Sequence, residues 1–197
     1  MLDTHCRKYI QPLIGLGADI AIKLGLDANR VTIIAMLVGV LSGILTALDL
    51  NIAGILMLWI SGYLDAVDGT IARKTKSSSP FGTVMDITFD RIVEGSVIIG
   101  VAYKYSQFSF ISLVLAVSII ISMTIFLTTG PLAENKGEKT FYYQAGLAER
   151  TEGFVMLSLM ILLRERAEVV INIFSGVVLF TAGQRFIEAK KILSKDL

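Results

Sequence analysis

The chain has 197 residues, 54% of them hydrophobic and only 18% charged, with a mean hydropathy of +0.69 and a formal net charge of +1. A soluble domain of this size carries about 45–50% apolar and about 25% charged residues, so the composition excludes an ordinary water-soluble domain and makes a bilayer the natural solvent. Cys6 and His5 are the only cysteine and histidine, which excludes an intramolecular disulfide and a Cys-rich metal site and leaves carboxylates, lysines and tyrosines as general bases in the membrane body.

Residues 1–30 form a juxtamembrane segment. They carry charges throughout and lack a long apolar core, unlike a cleaved signal peptide. Within them, residues 3–24 mix Tyr9, Ile10, Leu13, Ile14, Leu16, Ile20, Ile22 and Leu24 with Arg7, Lys8, Asp19 and Lys23, the pattern of an amphipathic helix lying along a membrane surface.

Residues 31–197 form the membrane domain. About 20 apolar residues cross a bilayer as a helix, and six stretches qualify: 31–48, 52–72, 81–102, 108–129, 154–163 and 169–187. The second ends and the third begins in charged residues, the fourth is the most uniformly apolar, and the fifth must borrow from 148–153. Short connections at 49–51 and 104–107 imply direct reversals. Ser77, Ser78 and Ser79 before Pro80 read as a turn, and the longest polar connection, 131–150, is long enough for a flap. The expected fold is therefore an all-α integral membrane protein, six transmembrane helices preceded by an amphipathic juxtamembrane helix.

Six spans put both termini on one side, with fifteen of the 18 basic residues. Lys104, Arg164 and Arg166 alone lie opposite, as interfacial anchors. The positive-inside rule makes the richer side cytoplasmic. The expectation is a multi-pass cell-membrane protein with both termini, and the charged ends of the second and third helices, in the cytoplasm. The partners expected are membrane lipids and no nucleic acid.

Those charged ends carry the chemistry. Asp65 and Asp68 are three apart and share a helix face, with Ala72 one turn beyond. Gly82, Asp86 and Asp90 are spaced by four and form a stripe on the next helix. The short link between them makes the two helices antiparallel neighbours, so four carboxylates converge at one level. Unpaired, they would repel and resist burial in a membrane. Carboxylates without His or Cys select hard divalent ions such as Mg²⁺, Mn²⁺ or Ca²⁺. Gly69 and Gly82 leave room for a ligand to approach the backbone, and the planar fork of Arg73 suits phosphate oxygens. Metal, phosphate and close approach together suggest a nucleoside diphosphate. Glu94 extends the stripe by a turn, as a partner for an arginine or for the metal ligands. Trp59, near mid-span, reads as a core or lipid-packing residue.

The string Asp65-x2-Asp68-Gly69-x2-Ala72-Arg73-x8-Gly82-x3-Asp86-x3-Asp90 resembles the signature of the CDP-alcohol phosphatidyltransferase family at all eight fixed positions. Asn29-Arg30-Val31-Thr32 and Gly146-Leu147-Ala148-Glu149-Arg150, ahead of the first and fifth spans, are also similar. The resemblance implies displacement of CMP from a CDP-linked lipid by the hydroxyl of a small polar alcohol. It implies Asp65, Asp68, Asp86 and Asp90 as ligands of two Mg²⁺ or Mn²⁺ ions, Asp90 as the base, and a homodimer. Asp65, Asp68, Gly69, Ala72, Arg73, Gly82 and Thr32 would form the nucleotide cradle.

Within the family the chain most resembles phosphatidylinositol phosphate synthases, through the Gly146–Arg150 string and Gln184-Arg185. These imply Arg150 and Arg185 as acceptor-binding residues. Where those enzymes have a Lys-x-Arg pair after the fourth span, this chain reads Thr128-Thr129-Gly130-Pro131. Inositol phosphate and glycerol 3-phosphate therefore remain alternatives among several acceptors. A non-catalytic ion-binding or scaffold protein of the membrane is the alternative of another class.

Overall fold

A computed structural model describes the backbone of residues 2–135 and 150–194, and the side chains of residues 10–132 and 151–194. It contains α1 (Leu2–Lys23), α2 (Ala28–Ala47), α3 (Asn51–Thr75), α4 (Pro80–Lys104), α5 (Ser109–Asn135), α6 (Arg150–Leu163) and α7 (Ala167–Leu193), with 3-10 turns at Ser106–Phe108 and Arg164–Arg166. No strand occurs among the described residues. Among the described residues, three segments are long and apolar enough to cross a membrane: Ala28–Ala47, Asn51–Thr75 and Ser106–Leu132. The other apolar stretches are helical too, but α4 interrupts its run with Asp86, Asp90, Arg91 and Glu94. At 14 residues, α6 is about 21 Å long, short of a hydrocarbon core of about 30 Å.

The helix ends explain why the chain reverses so tightly. Gly25 (φ 72°) closes α1 in the left-handed region, and Leu26 N–H donates to Ala21 O at 3.0 Å. The same closure recurs at Asp49 (φ 65°) and Lys76 (φ 54°), where Leu50 N–H donates to Leu45 O at 2.9 Å and Ser77 N–H to Ala72 O at 3.0 Å. These are helix stops of the kind that glycine usually occupies. On the far side of the turn at Lys76, Ser79 Oγ accepts from Gly82 N–H at 3.0 Å and starts α4 with Pro80 in the first turn.

Sequence adjacency suggested that α3 and α4 pack side by side; α2 packs along both far more extensively than they pack on each other. Small residues bring α2 this close. A Cβ placed on Gly43 would lie 2.3 Å from Ser96 O, and one on Gly100 would lie 2.3 Å from Gly43 O. Toward α3, Ser42 Oγ donates to Gly54 O and Ser61 Oγ to Ala35 O, each at 2.8 Å. Helix association in lipid relies on such backbone approach and interhelical hydrogen bonds. A second pair, α5 with α7, packs beside α6. One apolar core joins α3–α7 through Leu58, Val97, Leu115, Leu157 and Ile171, and a smaller one seats α1 through Ile14, Ala18, Val67 and Ile71.

The outward faces are apolar, with Ile52, Ile99, Phe110, Ile120 and Phe180 exposed, as expected where lipid replaces water. At one end of the bundle, Arg164 Nη2 lies 3.1 Å from Asp49 Oδ1 and Lys104 Nζ lies 3.5 Å from Asp49 Oδ2. Lys104 and Arg164, expected as interfacial anchors, thus tie the α2–α3, α4–α5 and α6–α7 connections together. The flap expectation falls mostly on residues 136–149, outside the described residues. Its beginning, Pro131, continues α5 instead of leaving it.

Candidate metal and nucleotide site

The end of the bundle away from Asp49 holds the acidic residues. Asp65 and Asp68 lie on one face of α3 and Asp86 on α4, and one carboxylate oxygen from each falls within 4.8 Å of the other two. The start of α2 stands beside them, with Asn29 and Thr32 lining the same cavity. Asp68 is buried at 5% exposure. Three like charges at this spacing are strongly unfavourable without a cation. An all-carboxylate donor set fits a hard divalent ion.

These residues open into a cavity of about 520 Å³, and its lining divides into two ends. The polar end comprises Asn29, Thr32, Asp65, Asp68, Gly69, Thr70, Ala72, Arg73, the Ser77–Ser79 turn, Gly82, Thr83 and Asp86. The other end is mostly apolar and aromatic, with Ile10, Ile14, Trp59, Gly62, Tyr63 and Phe154. Arg73 is held at the polar rim, with Nη2 donating to Thr70 Oγ1 at 2.9 Å. A Cβ on Gly69 would come within 3.3 Å of Arg73 Nη1, and one on Gly82 within 3.2 Å of Ser79 Oγ. Side chains at either position would crowd the cation or the turn that shapes this end.

All seven residues expected in the nucleotide cradle line this one cavity. Asp90, one turn beyond Asp86, is neither in the three-carboxylate group nor among the lining residues. Arg185 is held between α5 and α7, with Nη1 donating to Ser122 Oγ at 3.3 Å and its guanidinium carbon 5.1 Å from the centre of the Phe126 ring. It does not line the cavity. Arg150 begins α6, and its side chain lies outside the described residues. Glu94 meets Arg91 at 2.6 Å.

Sequence reasoning missed Asn29, the three serines and Thr83 as lining, and placed Trp59 in the core or in lipid. Trp59 instead lines the cavity, donating from Nε1 to Ser158 Oγ at 3.0 Å. The missed signal was periodicity. Trp59, Gly62, Tyr63, Ala66, Gly69 and Arg73 follow the three-and-four spacing of the Asp65 face.

The fold and the site together define a membrane protein whose helical bundle carries an acidic, arginine-lined cavity at one end. The CDP-alcohol phosphatidyltransferase family model matches residues 26–182, and the chain belongs to that family. The archaetidylinositol phosphate synthase of Pyrococcus horikoshii is 36% identical over 102 residues, 52% of this chain and 54% of that protein. The chain thus spans about half the length of that relative. The inner membrane protein YnjF of Escherichia coli is 28% identical over 167 residues, 81% of each chain. The phosphatidylinositol phosphate synthase PgsA1 of Mycobacterium tuberculosis, solved with CDP-DAG bound, superposes with a TM-score of 0.77. That match covers 91% of this chain and 94% of PgsA1 at 21% identity, a likeness of fold.

Proposed function

We propose that the chain transfers a phosphatidyl-type group from a CDP-linked lipid to the hydroxyl of a small polar alcohol and releases CMP. The observation that carries this reading is the convergence of Asp65, Asp68 and Asp86 on the cavity that also holds Arg73, Gly69 and Gly82. The polar end suits the cytidine diphosphate, and the apolar end suits the start of the lipid. Asp65, Asp68 and Asp86, with Asp90 nearby, would hold Mg²⁺ or Mn²⁺. Two such ions, when bound, stabilise charge on the attacking and leaving oxygens of an in-line displacement.

The chain's own residues do the rest. Arg73 neutralises the diphosphate and orients it with paired donors. The small residues Gly69, Ala72 and Gly82 admit the nucleotide against the backbone. In the transfer, the acceptor oxygen bonds to the lipid-side phosphorus as the bond from that phosphorus to the bridging oxygen breaks. CMP leaves with that oxygen, and the acceptor proton passes to the Asp90 carboxylate.

The full architecture is proposed as six membrane helices with α1 on the surface, both termini cytoplasmic, assembled as a homodimer. For the acceptor, the names of the Pyrococcus horikoshii relative and of the phosphatidylinositol phosphate synthase of Corynebacterium glutamicum, 28% identical over 163 residues, put inositol phosphate first. Glycerol 3-phosphate follows it. The test is CMP release from CDP-diacylglycerol by purified protein across an acceptor panel, with products identified by mass. Release should require Mg²⁺ or Mn²⁺ and stop in excess EDTA. Undiminished turnover in chelator, or none with any acceptor, overturns the reading.

A further inference from the structure

Tyr63 stands two residues before Asp65, on the cavity face of α3, and reaches away from the carboxylates toward the surface helix. Its hydroxyl donates to Leu13 O of α1 at 2.9 Å. The approach is possible only because position 17 is glycine: a Cβ there would stand 2.3 Å from the Tyr63 hydroxyl oxygen and 3.1 Å from Val67 Cγ2. One turn further along α1, Lys74 Nζ meets Asp19 Oδ1 at 2.6 Å. That pair is 40% and 55% exposed, and exposed pairs contribute little. Within the apolar core that seats α1, the close-packed Tyr63–Gly17 contact therefore sets how near α1 stands to α3.

What α1 does from that seat follows from its two sides. Ile10, Gln11 and Ile14 line the cavity beside Trp59 and Tyr63. Leu13, Leu16, Ile20 and Leu24 are exposed, the side that faces lipid under the proposed architecture. α1 contributes none of the clustered carboxylates, which lie on α3 and α4. A shift of α1 therefore reshapes the apolar end of the cavity and leaves the acidic end in place.

We propose that Tyr63 is a positioning residue: by seating α1 through Leu13 and Gly17, it sets the wall against which the lipid part of the donor binds. The proposal rests on the reading that the donor is a CDP-linked lipid. The added methyl of Gly17→Ala, in a contact with no slack, forces α1 outward. Gly17→Ala should raise KM for CDP-diacylglycerol about tenfold, with kcat and acceptor KM within about twofold of wild type. Adding Tyr63→Phe removes the oxygen that the new methyl meets, so the double variant should bind donor at least about threefold better than Gly17→Ala alone.

A purely structural role would lower stability and kcat and would show no such rescue. Should Gly17→Ala fail to fold, Tyr63→Phe alone decides. It should raise donor KM about two- to threefold while leaving acceptor KM and Mn²⁺ affinity, read by electron paramagnetic resonance, unchanged. Wild-type turnover with an unresponsive donor KM in these variants, or a double variant no better than Gly17→Ala, overturns the role of Tyr63. Wild-type protein that neither binds nor turns over CDP-diacylglycerol overturns the reaction, and this inference with it.

Discussion

Asp86 is the residue through which α4 joins the acidic cluster, because the other two members, Asp65 and Asp68, both come from α3. Replacing it with asparagine keeps the shape and removes the charge, so Asp86→Asn should weaken Mn²⁺ binding and CMP release together, each by more than about 100-fold. Paramagnetic titration and a turnover assay on the same preparation check this. Asp90 sits a turn away from that cluster, and on the proposed reading it takes up the acceptor proton. Asp90→Asn should therefore retain CDP-lipid affinity and lose about 10²–10⁴-fold in single-turnover CMP release, the usual span for a general base. Loss of lipid binding as well would make Asp90 chiefly a metal ligand. Arg185 is anchored on Ser122 and Phe126. If it also reaches the acceptor, Arg185→Ala raises KM for a phosphorylated acceptor and spares a neutral one. An equal effect on both assigns it to α5–α7 packing alone.

The helices themselves were largely legible, since long apolar runs admit few alternatives. Their order in space was not. The short α3–α4 connection suggested side-by-side packing, yet a turn of a few residues can also join helices that splay around a third. The small residues held that information: Gly39 and Gly43 on α2, and Ser96 and Gly100 on α4, recur at four-residue spacing and mark the closest backbone approach. The helix stops were hidden for another reason. Asp49 and Lys76 occupy left-handed positions where the sequence offers no glycine to announce them. The α2–α4 contact yields a paired expectation. Gly43→Ala meets the Ser96 carbonyl, which cannot swing aside, and should cost about 1–3 kcal/mol. Gly95→Ala, on the same helix as Ser96, meets nothing within 4 Å and should be neutral or stabilising through helix propensity. Unfolding temperatures in one detergent compare the two, and an equal response would contradict the packing described.

For the molecule as a whole, the carboxylate site was legible because four aspartates and two glycines at helical spacing leave few chemical uses. The aromatic half of the cavity was not, because Trp59 and Tyr63 look the same in a sequence whether they face lipid, core or ligand. The orientation proposed for the bundle can be checked with the one thiol the chain possesses. Cys6 should resist a membrane-impermeant maleimide in intact cells and react once the membrane is opened; labelling of intact cells would reverse the topology. The cluster around Asp49 bears on how the donor arrives. Three connections are tied at that rim, opposite the acidic cavity. On the proposed reading, the donor slides in sideways from the leaflet where it already resides, its headgroup staying level with the carboxylates. The lipid product then emerges in that same leaflet, so carrying it to the opposite one is work for a separate flippase.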